Sequence, residues 1–291
     1  MDWQVSKMHI RFVRDDQKVF VLDASIKTDA AWGIKNIAGV SSIDNVISTK
    51  DAAYGDGDEF LSERIPARNI DIVASVKDRR RNQEERATAI KFFLAKHTYT
   101  LYITIGGVTR WITARLQRFK CNSVPGDQHV NMDIALKCED PFFNSVDNFG
   151  KNIAGVIPMF SFPYKSSVKE GFLVGLFNFS REITIDNTGD VATNMKIIIE
   201  ADGDVEKPRI ICGDSYIKIN DTMKLRDQIE IDLTRNTIKK NGVNCIGKVD
   251  RLSNFTGMEL VVGENTISFD AENGDTKMNV YLYYNLKYME V

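Results

Sequence analysis

The chain has 291 residues and a formal net charge of −2, with 43% hydrophobic and 27% charged residues. That length suggests about two domains, and a chain of this size buries roughly three quarters of its unfolded surface, so folding needs no disulfide or metal staple. The near-neutral balance, +2 over residues 1–145 and −4 over 146–291, excludes a domain that holds nucleic acid by neutralising many phosphates.

The start, Met1-Asp2-Trp3-Gln4-Val5, has neither the basic n-region nor the apolar h-region of a signal peptide. No stretch approaches the roughly 18 apolar residues of a membrane span. Cys121, Cys138, Cys212 and Cys245 are widely spaced without a C-x-x-C. Reduced thiols in a cytoplasmic setting are therefore expected.

Period-2 alternation dominates the first half. Met8, Ile10 and Phe12 alternate with His9, Arg11 and Val13. Arg68–Val76 places Ile70, Ile72, Ala74 and Val76 on one face. His129–Cys138 does the same with Val130, Met132, Ile134, Leu136 and Cys138. Each predicts a half-buried strand. Thr98–Ile105 and Val108–Phe119 are strand-like, and Gly106-Gly107 between them fits a two-residue hairpin turn.

One segment departs from that rhythm. In Asn82–Lys96, Ala87, Ile90 and Leu94 fall at helical spacing with Phe93 beside them. The spacing predicts one amphipathic helix on a sheet, with Asn82 and Glu85 as a capping box. His97 then falls at the helix C-terminus, where a cation suits the dipole.

Residues 141–180 are rich in Phe and Gly and hold no period, which marks an irregular inter-domain stretch. Alternation returns at Arg181, with Met195, Ile197 and Ile199 in one set and Ile229, Ile231 and Leu233 in another. Asn241-Gly242 and Asn273-Gly274 predict hairpin turns. The last strand reads as Lys277–Tyr288, with Met278, Val280, Leu282, Tyr284, Leu286 and Tyr288 on one face. Short strands with turn signals and no helix predict an antiparallel β-sandwich.

Catalytic signals are thin. His9, His97 and His129 form no H-x-H or H-E-x-x-H pattern, and there is no G-x-S-x-G, P-loop or dinucleotide fingerprint. The chain is read as no enzyme, with no catalytic residues, cofactor or metal site. Asp56-Gly57-Asp58-Glu59 is carboxylate-rich, but it lacks the EF-hand spacing and reads as a solvated turn. Arg79-Arg80-Arg81, flanked by Asp78, Glu84 and Glu85, reads as an ion-pair cluster. The N-x-[ST] matches at Asn178, Asn220 and Asn254 read as chance. A sugar site would need an aromatic plate. All three tryptophans lie in the first half, and Tyr281, Tyr283, Tyr284 and Tyr288 fall on both faces of the last strand.

The order of these features resembles the distal tail proteins of long-tailed phages. In the first half it rests on Trp32–Val40, on Gly55–Arg68 leading into Asn69–Val76, and on the arginine-rich helix start with Phe92-Phe93 before Tyr99–Ile103. Leu136–Phe143 completes that half. In the second half it rests on Ile185–Thr193, on Gln228–Leu233 before Asn241-Gly242, and on Gly263–Ile267. Where the family has Asn-Pro-Gly-Asp, this sequence has Asn187-Thr188-Gly189-Asp190.

The resemblance implies a mainly β protein. Residues 1–145 would be a tail-tube-like β-barrel or sandwich domain with one α-helix, and six copies would close into a ring. Residues 146–180 would be the linker, and 181–291 a galectin-like antiparallel β-sandwich. The implied partners are the tail tube, the tail-tip hub and receptor-binding or baseplate proteins, with no membrane and no specific nucleic-acid binding. The implied place is the virion tail tip, assembled in the host cytoplasm. A genome-conducting bore would be neutral or acidic, because a basic one would trap DNA. A carbohydrate-binding host-recognition module and a cell-wall-degrading tail enzyme are the alternatives. Ring closure needs complementary head-to-tail surfaces. The Gly/Asp-rich loop 48–62 and the apolar stretch 141–180 are the candidates, through Tyr54, Asp56, Asp58, Phe60, Leu61, Phe142 and Phe143.

Overall fold

The computed structural model describes residues 8–25, 28–52, 54, 56–122, 129–146, 149–152, 155–158, 175–178 and 182–291. The chain divides into two compact units, Met1–Val146 with Lys287–Val291, and Asp147–Leu286.

The first unit contains β1 (His9–Arg14), β2 (Val19–Asp23), β3 (Trp32–Ala38), β4 (Val46–Asp51), β5 (Asp58–Arg64) and β6 (Arg68–Val76). After helix α1 (Asn82–Phe92) come β7 (Thr98–Ile105), β8 (Val108–Cys121), β9 (Asn131–Cys138) and β10 (Phe143–Ser145). Seven strands run in the order β8-β7-β1-β2-β3-β6-β9, and β9 pairs back onto β8. The ring of hydrogen bonds therefore closes into a barrel, which removes free sheet edges. Strand β8 makes closure possible by its length. Val108–Arg115 pairs with β7, and Arg115–Cys121 pairs with β9 across a register shift between Leu116 and Arg118. The shift bends the strand around the corner.

The alternation seen in the sequence sets the barrel's interior. Ile10, Phe12, Ile70, Ile72, Ala74, Leu101, Ile103, Met132, Ile134 and Leu136 are all buried. Gly106 and Gly107 take φ of +60° and +91°, as a primed hairpin turn requires. Gly39 has a different constraint. Its φ is +86°, and a Cβ there would lie 1.9 Å from the Asn69 carbonyl oxygen.

The helix differs from its sequence expectation in length, cap and face. It ends at Phe92 rather than Lys96, and Lys96 sits at φ +70°. A single 3₁₀ turn, Arg79–Arg81, precedes it, and the Asp78 carboxylate caps that turn by accepting the Arg80 N–H at 3.0 Å. Asn82 accepts instead from the Val130 N–H at 3.3 Å. The buried positions are Glu85, Ala89 and Phe92, followed by Phe93, whereas Ala87, Ile90 and Leu94 face solvent. The aromatic side chains explain the rotation. Phe92 and Phe93 lie 4.9 Å apart and join Phe12, Phe20, Tyr99 and Phe119 in one cluster, with Phe12, Phe20 and Phe119 each 5.1–5.3 Å from Phe93. Each such pair adds about 0.5–1.5 kcal/mol beyond its buried area, which outweighs three small or aliphatic side chains.

The cation at the helix C-terminus is Arg14, not His97. Arg14 is buried and donates to the carbonyls of Phe92 at 2.7 Å and Lys91 at 3.2 Å, satisfying two end groups of the helix. His97 pairs with Asp15 at 2.6 Å.

In the second unit lie β11 (Phe149–Asn152), β12 (Gly155–Pro158), β13 (Gly175–Asn178), β14 (Glu182–Asn187), β15 (Met195–Ala201) and β16 (Val205–Glu206). Then follow β17 (Arg209–Cys212), β18 (Ser215–Lys218), β19 (Thr222–Met223), β20 (Gln228–Asp232), β21 (Thr237–Lys240), β22 (Val243–Asn244), β23 (Gly263–Asp270) and β24 (Met278–Tyr284). Ten of them form a β-sandwich, one sheet of order β11-β24-β15-β20-β21-β22 and another of order β14-β23-β17-β18, while β12-β13 and β16-β19 are separate two-stranded pairs. Met195, Ile197, Ile199, Ile229, Ile231, Val280 and Leu282 from the first sheet are buried, as are Ile185, Ile210, Ile217, Ile267 and Phe269 from the second.

Asn241-Gly242 forms the expected turn, with φ of +49° and +80° between paired Lys240 and Val243. Asn273-Gly274 does not make a hairpin. It joins β23 in one sheet to β24 in the other, so it crosses between layers. Gly274 is required there, because at φ +79° a Cβ would stand 2.1 Å from the Asp204 carbonyl oxygen.

Two buried asparagines organise the loops at one end of the sandwich. Asn187 donates to the carbonyls of Val191 and Leu260 and accepts the Gly189 N–H. Asn265 donates to Gly263 and Val261 and accepts the Val261 N–H. The Asn187 turn closes without the proline of the family motif, because the side chain itself supplies the local bonds.

The expected final strand is broken. Leu286 ends the second unit, and β25 (Lys287–Tyr288) pairs with β10 in the first unit, Tyr288 opposite Phe143. The Arg110 guanidinium sits 3.6 Å over the Tyr288 ring and also donates to the Glu290 carbonyl, while Lys287 pairs with Asp140 at 2.8 Å. Arg68 donates to the carbonyls of Pro141 at 2.6 Å, Gly39 and Ser42 at 2.7 Å and Met289, and lies 4.9 Å over Phe143. One buried guanidinium thus satisfies four carbonyls from three chain segments. Its pKa is lowered by burial.

Candidate functional site

The segment expected as a loop at 48–62 is a two-stranded antiparallel ribbon. Among the described residues β4 and β5 pair only with each other, and every residue of both is exposed. The register shifts between Ser48 and Thr49, so that Ser48 faces Ser62, Thr49 faces Phe60, and Leu61 is the extra residue of a bulge. Ile47 and Thr49 share a face, so the bulge brings Phe60 onto the face of Ile47. Ile47, Phe60 and Leu61 are 58%, 62% and 59% exposed.

The ribbon is acidic as well as apolar. Residues 45–64 carry Asp51, Asp56, Asp58, Glu59 and Glu63 against Lys50 and Arg64. Asp51 stands opposite Asp58, a like-charge pair that weakens an isolated ribbon. Thr49 offsets it by donating to Asp58 at 2.9 Å. An isolated two-stranded ribbon is marginal in water, and its edges present unpaired backbone groups.

Of the sequence-predicted contact residues, the ribbon gathers Tyr54, Asp56, Asp58, Phe60 and Leu61 on one arm, with Tyr54 98% exposed. Phe142 and Phe143 lie elsewhere. Phe142 is half-buried with the Lys287 ammonium 5.7 Å from its ring. Phe143 is fully buried beneath Arg68, so it belongs to the core of the first unit and offers no surface. Most of 147–180 lies outside the described residues, as does Trp3.

The second exposed feature of this unit is the outer side of α1, which sequence periodicity assigned to the core. Ala87 and Ile90 on the helix, and Leu94 two residues past its end, are each exposed, Ile90 at 39% and Leu94 at 41%. The surrounding segment is basic. Residues 79–96 hold Arg79, Arg80, Arg81, Arg86, Lys91 and Lys96 against Glu84 and Glu85. Arg81 is committed to Glu85 at 2.6 Å and Glu84 at 3.3 Å, and Arg80 to Asp78 at 3.3 Å.

The other histidines are engaged within the fold. His9 pairs with Asp23 at 3.1 Å, and His129 hydrogen-bonds the Val76 carbonyl at 2.7 Å. Burial pushes the Cys138 thiol up to about 12 and raises Cys121, Cys212 and Cys245 as well, the reverse of an activated nucleophile. Among the described residues no group of three or more His, Cys, Asp or Glu side chains converges on a metal position. A surface hollow of about 200 Å³ beside α1 is lined by Lys77, Asp78, Arg81 and Glu85, a mixed ion-pair lining. The tyrosines do not form one plate. Tyr284 is buried, Tyr281 and Tyr283 are half-buried, and Tyr216 hydrogen-bonds Asp250 at 3.3 Å. Among the described residues no helix is long and apolar enough to cross a membrane.

Residues 188–288 match the family model of the siphovirus-type tail component, C-terminal domain. No curated protein sequence matches the chain. In fold, the chain is similar to the crystal structure of the Dit (gp 19.1) protein of phage SPP1, titled a paradigm of the hub adsorption apparatus in phages infecting Gram-positive hosts. The TM-score is 0.66 at 12% identity, covering 96% of this chain and 98% of that one. It is also similar to a chain of the phage P2 baseplate in its activated conformation with calcium, with a TM-score of 0.55 at 11% identity, covering 99% and 100%. The strontium form of that baseplate gives 0.54 at 11%, covering 98% and 99%. In the sequence of residues 188–288 and in fold along nearly its whole length, the chain resembles phage distal tail proteins.

Proposed function

We propose that the protein is a structural, non-enzymatic component of a phage tail baseplate, a distal tail hub in which copies of the first unit close into a six-fold ring. The observation that carries this reading is the fold match to the SPP1 distal tail protein, which spans both units and nearly all of each chain. The family match over residues 188–288 supports it independently. In this reading the first unit joins the last tail-tube ring to the tail-tip hub. The second unit, galectin-like by the same resemblance, carries receptor-binding or baseplate proteins, and the protein resides in the virion.

The fully exposed ribbon fits such a role. A ribbon that buries none of its own side chains gains its stability from a surface outside its unit. Burying Ile47, Phe60 and Leu61 against a neighbour is worth roughly 1.5–3 kcal/mol for each side chain fully covered. Native mass measurement and negative-stain imaging of the purified protein, alone and mixed with its tail-tube and hub proteins, test the reading. Six-fold rings are expected. A strict monomer under all of these conditions overturns it.

A further inference from the structure

We propose that the ribbon of one copy seats on helix α1 of the next, Ile47, Phe60 and Leu61 lying against Ala87, Ile90 and Leu94. This rests on the ring reading and specifies its contact. A closed ring is built from two different patches that meet head to tail, and the ribbon and the α1 segment both expose apolar side chains within surroundings of opposite charge. The ribbon carries five carboxylates against two cations over residues 45–64, and the helical segment six cations against two carboxylates over residues 79–96. Two ribbons would repel each other, as would two helices, so the charges favour the mixed pairing and disfavour the symmetric ones.

The dimensions agree. Six paired positions of ribbon extend about 20 Å. The 11 residues of α1 extend about 17 Å. The bulge at Leu61 has a purpose in this contact, since without it Phe60 and Ile47 would fall on opposite faces. Lys91 and Lys96 flank these residues, are exposed, and form no ion pair with a described residue, which leaves them for Asp58 and Glu59 of the neighbouring copy.

Reciprocal charge reversal in the full chain tests the pairing by sedimentation velocity. Lys91→Glu with Lys96→Glu, and separately Asp58→Lys with Glu59→Lys, should each shift self-association about tenfold toward monomer, and all four together should restore it. Association of the parent protein should weaken with added salt. All four substituted positions are on the surface, and unchanged melting temperatures certify the fold of each variant. If the parent protein assembles but neither reversal weakens assembly, or the fourfold variant is no better than the twofold ones, this contact is wrong and the ring reading stands. If the parent protein never assembles, with or without tube and hub proteins, both fall.

Discussion

Strands β5 and β6 are separated by only three residues, Ile65–Ala67, and reach opposite fates. Strand β6 is paired on both sides, with β3 and β9, and buries Ile70, Ile72, Ala74 and Val76 in the barrel. Among the described residues β5 is paired only with β4, and it leaves Phe60 62% exposed where Ile72 is 1% exposed. Both contain apolar side chains, so composition does not separate them. The difference is whether a second layer covers the strand's face. In β6 the covering layer belongs to the same unit. For β5 no described part of its own unit covers it, so under the proposed ring its apolar residues would serve assembly rather than folding.

Truncating one side chain in each strand, and one at their junction, puts this contrast to measurement. The largest effect is expected from Ile72→Ala, which empties a fully enclosed site. It should cost about 2–5 kcal/mol and lower the melting temperature of the first unit by roughly 5–15 °C. A change of a degree or less would mean that the barrel interior is not the stabilising core. Arg68→Met, at the first position of β6, should cost about 2 kcal/mol in the same melt. It strands the carbonyls of Pro141, Gly39, Ser42 and Met289, partly offset by relief of the buried charge. It should also speed hydrogen exchange at Lys287–Tyr288, and unchanged protection there would refute the clamp. Phe60→Ala should alter monomer stability by no more than about 0.5 kcal/mol while weakening assembly. A melting shift as large as that of Ile72→Ala would show that the ribbon packs on its own unit after all.

Much of this architecture is legible in the residues. Alternation in β1, β6, β9, β15, β20 and β24 names the buried side chains correctly, because one covered face imposes a period of two on any strand. Gly106-Gly107 and Asn241-Gly242 announce their turns through the positive φ that such turns demand. The helix was legible as an element but not in its orientation. Periodicity weighs Ala87, Ile90 and Leu94 equally with larger groups, whereas packing is decided by Phe92 and Phe93 meeting four other rings. Glu85 is buried because Arg81 reaches it, a pairing that hydropathy counts as a polar position. The candidate contact residues divide in the same way. Tyr54, Asp56, Asp58, Phe60 and Leu61 are brought together on the ribbon, but Phe143, equally apolar, is consumed by the core.

The sequence by itself determined the class of protein, its β periodicity, its hairpin turns and its family likeness, since each follows from local sterics or from one covered face. Only the tertiary structure decided that β8 closes a barrel, that Asn273-Gly274 changes sheets and that the last five residues return to the first unit. It also decided that α1 turns Ala87 and Ile90 to solvent and ends before Leu94. These outcomes depend on which surfaces meet across long stretches of chain, and that choice is made by competition among packing partners rather than by any local run of residues.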